Sequence, residues 1–234
     1  MERITIEGIP AILYGEPAKK IFVFIHGKNG SKEEAKAFSV LAGPRGFQVL
    51  SFDLPEHGER KDEGVPLYPW NAVPEFRRIL SYTRKRWEHI SVRANSIGAY
   101  LAMLSFAEER IDGCLFVSPI LDMERLIGNL MNWSGVTEEQ LKAKKTIPTA
   151  FGETLSWMYL CYVREHQILK WNIPTSILYG SADNLTERET VDVFTARHGC
   201  ALTVVDGGEH WFHTAEQLST MDRWTETSLQ LMAE

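Results

Sequence analysis

Apolar residues in this chain come in short unbroken runs rather than alternating with polar ones. The runs are KIFVFIHG (20–27), FQVLSFDL (47–54), HISVRANS (89–96), GCLFVSP (113–119), PTSILYG (174–180) and ALTVVDG (201–207). Such runs, rich in Ile, Val and Phe, predict strands of a parallel sheet buried on both faces. The earlier RITI and IPAILYG read as an antiparallel hairpin or edge preceding that sheet. Helix starts are predicted by capping boxes, in which a Ser or Thr side chain and a Glu or Gln three residues on each bond the other's backbone N–H. Ser31 with Glu34, Thr137 with Gln140, Thr186 with Glu189 and Thr214 with Gln217 fit this spacing. The alternation of helix and strand predicts an α/β fold with a doubly wound, mostly parallel sheet that binds ligands beyond the carboxyl ends of its strands.

One stretch interrupts the alternation. Residues 121–170 separate the sixth and seventh of these runs, counting the N-terminal pair, and are too long for an ordinary crossover. They predict a helical cap or lid over a core formed by 1–120 and 171–234. The stretch carries Trp133, Phe151, Trp157, Met158, Tyr159 and Tyr162. Most of these are expected to pack the lid on the body, with Trp133, Trp157 and Tyr159 the candidates for contact with a substrate.

Charge and composition narrow the class of partner. The 234 residues carry a net charge of −6, with 44% hydrophobic and 24% charged residues. This is the composition of a globular protein, with no electrostatic attraction for nucleic acid or an anionic membrane surface. Cys114, Cys161 and Cys200 are scattered, without zinc or CxxC spacing, and predict reduced, mostly buried thiols. The opening MERITIEGIP has no basic and apolar leader pattern, and no run approaches the ~18 apolar residues of a membrane helix. A cytoplasmic protein acting on a small molecule is expected; its oligomeric state is not written in the sequence.

The candidate chemistry centres on VRANSIGAY (92–100). Ser96 follows a buried strand and precedes a stretch in which Ile97, Tyr100, Leu101 and Leu104 keep helical spacing. Small residues at 94 and 98 allow a sharp turn that lifts the hydroxyl above the sheet and aims a helix N-terminus at it. Ala94-Asn95-Ser96-Ile97-Gly98 resembles the nucleophile elbow G-x-S-x-G of the α/β-hydrolase family, with alanine in place of the first glycine. That family places an acid after a later strand and a histidine after the last. Asp183 in SILYGSADNLT and His210 in TVVDGGEHWFHT hold those positions.

The resemblance runs over nearly the whole chain and implies further roles. IFVFIHGKNG resembles the family's His-Gly turn, which makes the backbone N–H groups of Lys28 and Ile97 the oxyanion donors and His26 a structural residue. FDLPEHGER resembles a second family turn, in which Asp53 and His57 stabilise the backbone. GVPLYPWNAVPEF, with three prolines and Trp70, is either a pocket edge or a surface loop. His213 is the less suitable base, because a helix opening at Thr214 disfavours a protonated imidazole. Asp206 reads as a turn residue and Asp122 as a distant substitute for Asp183. Two histidines without a third ligand do not make a metal site, so neither metal nor organic cofactor is expected.

Taken together, these positions predict acyl transfer to water. Ser96 is the expected nucleophile, His210 the base and Asp183 the group that orients it, acting on a small apolar carboxylic ester. Thioesterase, peptidase, lysophospholipase and carbon–carbon bond hydrolase activities use the same triad. A ligand-binding protein with an unused triad is the reading from another class. Serine at the elbow argues against the dehalogenase and epoxide hydrolase branches, which the resemblance says carry aspartate there.

Overall fold

The computed structural model describes residues 1–233. In chain order the strands are β1 (Glu2–Ile6), β2 (Ile9–Tyr14), β3 (Lys20–Ile25), β4 (Phe47–Phe52), β5 (His89–Asn95), β6 (Gly113–Val117), β7 (Thr146–Pro148), β8 (Thr154–Ser156), β9 (Thr175–Gly180) and β10 (Ala201–Val205). The helices are α1 (Ala35–Ala42), α2 (Pro69–Arg84), α3 (Ile97–Phe106), α4 (Met123–Trp133), α5 (Glu138–Lys144), α6 (Trp157–Glu165), α7 (Arg188–His198) and α8 (Ala215–Ala233). Eight strands share one sheet in the order β1-β2-β4-β3-β5-β6-β9-β10. From β4 to β10 the pairing is parallel, while β1 with β2 and β2 with β4 are antiparallel. The β1–β2 hairpin closes through Glu7 and Gly8, both at positive φ (48° and 88°), the turn whose twist matches paired strands.

Alternation along β3 sorts the two cores. Phe22 and Phe24 join Phe38 of α1 and Trp224 of α8 on one face; Ile21, Val23 and Ile25 join Phe76 of α2 and Leu101 of α3 on the other. Every residue of β3 except Lys20, every residue of β4, and Ile90 through Ala94 of β5 is buried, which accounts for their unbroken apolar runs. Full burial of each such Phe or Ile contributes ~1.5–3 kcal/mol. Because these strands are parallel, the carboxyl ends of β5, β9 and β10 lie along one edge of the sheet. No helix among the described residues is long and apolar enough to cross a membrane.

Several expectations are corrected by packing. ALTVVDG forms the edge strand β10, paired only with β9 and with Val204 36% exposed; an apolar run alone cannot distinguish an edge strand from an interior one. The boxes at Thr137 and Thr214 form. Ser31 makes no side-chain cap bond, and Thr186 spends its hydroxyl on the Pro119 carbonyl, so α7 starts later, at Arg188. GVPLYPWNAVPEF leads into α2, with Pro69 in its first turn and Pro74 inside it. Of the three free cysteines only Cys114 is fully buried. Residues 121–170 carry α4, α5 and α6, together with an unanticipated antiparallel ribbon, β7–β8. Strands of three residues are too short to leave a periodic signal.

Candidate active site

β5 ends at Asn95, α3 starts at Ile97, and Ser96 alone makes the turn between them at φ 50°, ψ −121°. A side chain is strained in this conformation. The turn is locked by Ser96 N–H to the Val117 carbonyl (3.0 Å) and by Ile120 N–H to the Ser96 carbonyl (3.2 Å). It is also tight: a methyl added to Gly98 would stand 2.6 Å from the His26 carbonyl oxygen and 2.8 Å from Ile25 Cγ2. Ala94 is fully buried, so a methyl is accommodated at the other small position. Ser96 is the N-cap of α3, so the positive end of that helix's dipole lies at the serine.

Asp183 lies in the loop after β9 with its carboxylate fully buried. Oδ1 accepts the N–H groups of Leu185 (2.8 Å) and Thr186 (2.9 Å), which leaves Oδ2 for His210 Nδ1 at 2.7 Å. A carboxylate at Nδ1 requires the imidazole proton there. Nε2 is then an acceptor, and the Ser96 hydroxyl lies 2.9 Å from it. The His210 ring is 14% exposed. The three side chains that the sequence singled out thus stand in one hydrogen-bonded chain.

The loop after β3 closes the other side of Ser96. A Cβ on Gly27 would lie 3.4 Å from Ser96 Cβ, so this backbone packs directly on the serine. Gly30 N–H bonds the Gly27 carbonyl (3.2 Å), and Asn29 N–H donates to His57 Nε2 (3.0 Å). His26 beneath it accepts the Leu54 N–H at Nε2, and burial pushes its pKa down to about 4. Neutral and enclosed, it supports the backbone. Asp53 holds the same layer: Oδ1 accepts Lys32 N–H, while Oδ2 takes Lys32 Nζ at 2.6 Å and Glu59 N–H at 3.0 Å. The Lys28 side chain, 45% exposed, pairs with Glu153 in the turn between β7 and β8.

Ser96, Ile97 and Lys28 open into a cavity of about 1010 Å³. Its apolar lining is Met123, Leu126, Ile127 and Leu130 of α4, joined by Trp133 and Phe151, and Tyr68 and Tyr159 also line it. The helical spacing of the α4 positions is a signal in the sequence that went unread. Trp157 is not on the wall; its indole faces Lys142, whose ammonium lies 5.6 Å from the ring centre, because α6 turns that side toward α5. His213 pairs with Glu209 and stacks on Trp211, Asp206 accepts the Ser181 hydroxyl, and Asp122 caps α4. None of the three touches the serine–histidine chain. Among the described residues no three His, Cys, Asp or Glu side chains gather as metal ligands.

Known proteins can be set beside this geometry. No family model matches the chain. A curated relative, α/β hydrolase ucsC of an Acremonium species, is 34% identical over 115 residues, covering 44% of this chain and 23% of its own. The chain therefore spans about a quarter of the length of that relative. Among solved structures, Est1E of Butyrivibrio proteoclasticus with ferulic acid bound superposes with a TM-score of 0.77 at 18% identity, over 99% of both chains. Mouse α/β hydrolase domain-containing protein 10 gives 0.76 at 11% identity, over 96% of this chain and 94% of its own. With the strand order and the strained serine turn, these likenesses show that the chain has the α/β-hydrolase fold.

Proposed function

We propose that this protein is a serine hydrolase that cleaves a carboxylic ester with a bulky apolar or aromatic part. The observation that carries this reading is the relay from Ser96 Oγ to His210 Nε2 (2.9 Å) and from His210 Nδ1 to Asp183 Oδ2 (2.7 Å). Ser96 Oγ attacks the carbonyl carbon while His210 Nε2 takes its proton. The charge gained by the ring is held by Asp183. The N–H groups of Ile97 and Lys28 stabilise the tetrahedral oxyanion, and one such donor is worth ~3 kcal/mol of barrier. His210 then protonates the departing alkoxide, the ester C–O bond breaks, and water activated by His210 releases the acid from Ser96.

The cavity supports a substrate larger than the small ester that sequence alone suggested, since sites of roughly 300–1,000 Å³ enclose drug-sized molecules. Its α4 wall is apolar, and Trp133 and Phe151 meet edge to face at 6.4 Å. Residues 121–170 act in this reading as a lid, tied to the serine side of the cleft through Glu153 and Lys28.

The test is labelling with a fluorophosphonate, read by intact mass, followed by turnover of p-nitrophenyl esters of increasing chain length. Wild type is expected to label once and turn over, and Ser96→Ala to do neither. Labelling without turnover would redirect the search to thioesters, amides or carbon–carbon bonds. If folded wild type neither labels nor turns over, the hydrolase reading is wrong and the chain is a binding protein.

A further inference from the structure

Arg93 is a buried charge for which the proposed reaction has no use. It sits on β5 at the centre of the sheet, opposite Phe24 on β3 and Leu115 on β6, and is 3% exposed. The guanidinium carbon lies 5.8 to 5.9 Å from the ring centres of Phe24, Phe38 and Trp224. Among the described residues no carboxylate pairs with it directly; the negative charge that supports it is Glu34, beyond ion-pair distance. Nε has no hydrogen-bond partner, and Nη2 meets only Met221 Sδ at 3.7 Å. Burial of a charge so poorly compensated is costly, and an apolar side chain of similar volume would suit this aromatic nest better. Breaches of the burial rule of this kind concentrate where function requires them.

The bonds that Arg93 does make run toward the serine. Nη1 donates to Asn95 Oδ1 at 2.6 Å and to the Ala94 carbonyl at 3.2 Å. Asn95 is the residue before Ser96, and its Cβ would stand 3.8 Å from a Cβ on Gly27, whose loop continues into Lys28. The Asn95 side chain thus roots where the strand end meets the oxyanion loop, and a planar, permanently charged donor fixes it from below.

We propose that Arg93 is a positioning residue that clamps Asn95 and thereby fixes the spacing between the Ser96 hydroxyl and the Lys28 N–H. The proposal rests on the reading of Ser96 as nucleophile. Arg93 touches neither substrate nor reacting atoms; it acts through Asn95 on the geometry in which the oxyanion forms. Arg93→Met removes charge and donors but keeps the stem, Arg93→Lys keeps the charge and one donor group, and Asn95→Ala removes the acceptor.

The experiment measures kcat and KM on a p-nitrophenyl ester, the rate of fluorophosphonate labelling and the melting temperature for all three variants and for Arg93→Met combined with Asn95→Ala. In folded Arg93→Met, kcat and the labelling rate should fall ~10- to 100-fold with KM changed by less than about threefold, as expected for misplacement of reacting groups. Arg93→Lys should recover part of that loss. Asn95→Ala should cost nearly as much as Arg93→Met, and the double variant no more than either, because the two residues form one unit. Rates within about twofold of wild type in folded Arg93→Met or Asn95→Ala, or additive losses in the double variant, overturn the proposal. If Arg93→Met does not fold, Asn95→Ala decides by the same criterion. Wild type that does not label at all sinks the hydrolase reading and this proposal with it. Wild type that labels, with unaffected variants, sinks this proposal alone.

Discussion

Ser96 and His210 lie 114 positions apart in the chain and 2.9 Å apart in space. Two strands, β6 and β9, separate β5 from β10, so at ~4.8 Å per strand the loop after β10 must carry His210 back across about 14 Å of sheet. The crossing runs over the end of β9, where the Ala182 N–H bonds the Gly208 carbonyl at 2.8 Å. There the Gly208 carbonyl occupies the place a Gly180 side chain would need. Contact between two glycine backbones is thus what lets the histidine reach the serine.

Gly180→Ala should therefore lift the His210 loop while leaving the sheet intact. Ester turnover and fluorophosphonate labelling should both fall ~100-fold, the cost of a displacement of about 1 Å in reacting groups. Labelling kinetics beside a thermal melt separate this local effect from loss of fold. A folded variant with wild-type kinetics would show that the loop has another way across.

The positive φ at Ser96 carries a stability prediction. Ser96→Ala and Ser96→Gly should both abolish labelling, but only glycine relieves the strain at φ 50°, ψ −121°. The glycine variant should be more stable than the alanine variant by ~1 kcal/mol, read from urea midpoints. Equal midpoints would mean that the elbow stores no strain.

Asp183→Asn preserves the shape of the site and can still accept Leu185 and Thr186 N–H groups. It removes the charge that stabilises protonated His210, so kcat should fall ~10⁴-fold with little change in KM. Steady-state kinetics on the best p-nitrophenyl ester measures this. A loss below about tenfold would reassign the acid.

Two glycines in helices should respond oppositely to the same change. Gly98→Ala drives a methyl into the backbone just past β3, 2.6 Å from the His26 carbonyl oxygen, and should destabilise by ~1–3 kcal/mol. Gly128→Ala on α4 meets nothing within 4 Å and should stabilise by ~0.5–1 kcal/mol through helix propensity. Paired denaturant curves test both.

Acid sensitivity should be traceable to Asp53. Burial alone would raise its pKa, but the Lys32 ammonium and the N–H groups of Glu59 and Lys32 outweigh this and hold it below the usual carboxylate value. A carboxyl with a depressed folded pKa contributes stability above its unfolded pKa and loses it as pH falls through the folded value, so the loss begins below about pH 4. In Asp53→Asn the urea midpoint should be lower at pH 6, and the fall between pH 5 and pH 3 shallower than in wild type. An unchanged acid limb would place the sensitivity elsewhere.

The order of strands and helices, the serine turn and the two later loops were legible because each depends on local chemistry. Five of the interior strands announce themselves by apolar runs, since both of their faces are covered. Ala94 and Gly98 mark a close strand–helix approach, and Asp183 and His210 follow strand ends. The antiparallel β7–β8 ribbon was not legible, nor was the start of α2, where Pro69 and Pro74 read as loop residues. Trp157 had the composition of a pocket residue but not the orientation, which the packing of α6 sets.

By itself the sequence determined which residues could do chemistry and on which edge of the sheet they would lie, because strand direction and turn position follow from local pattern. Only the tertiary structure decided that Ser96, His210 and Asp183 meet within hydrogen-bond distance, that Lys28 reaches Glu153, and that Arg93 is buried without a direct ionic partner. Those relations join residues 27 to 125 positions apart or depend on which side chains pack around a site. Such contacts are set by strand order and by backbone approaches like that of Gly180 to Gly208, and these leave no trace in local periodicity.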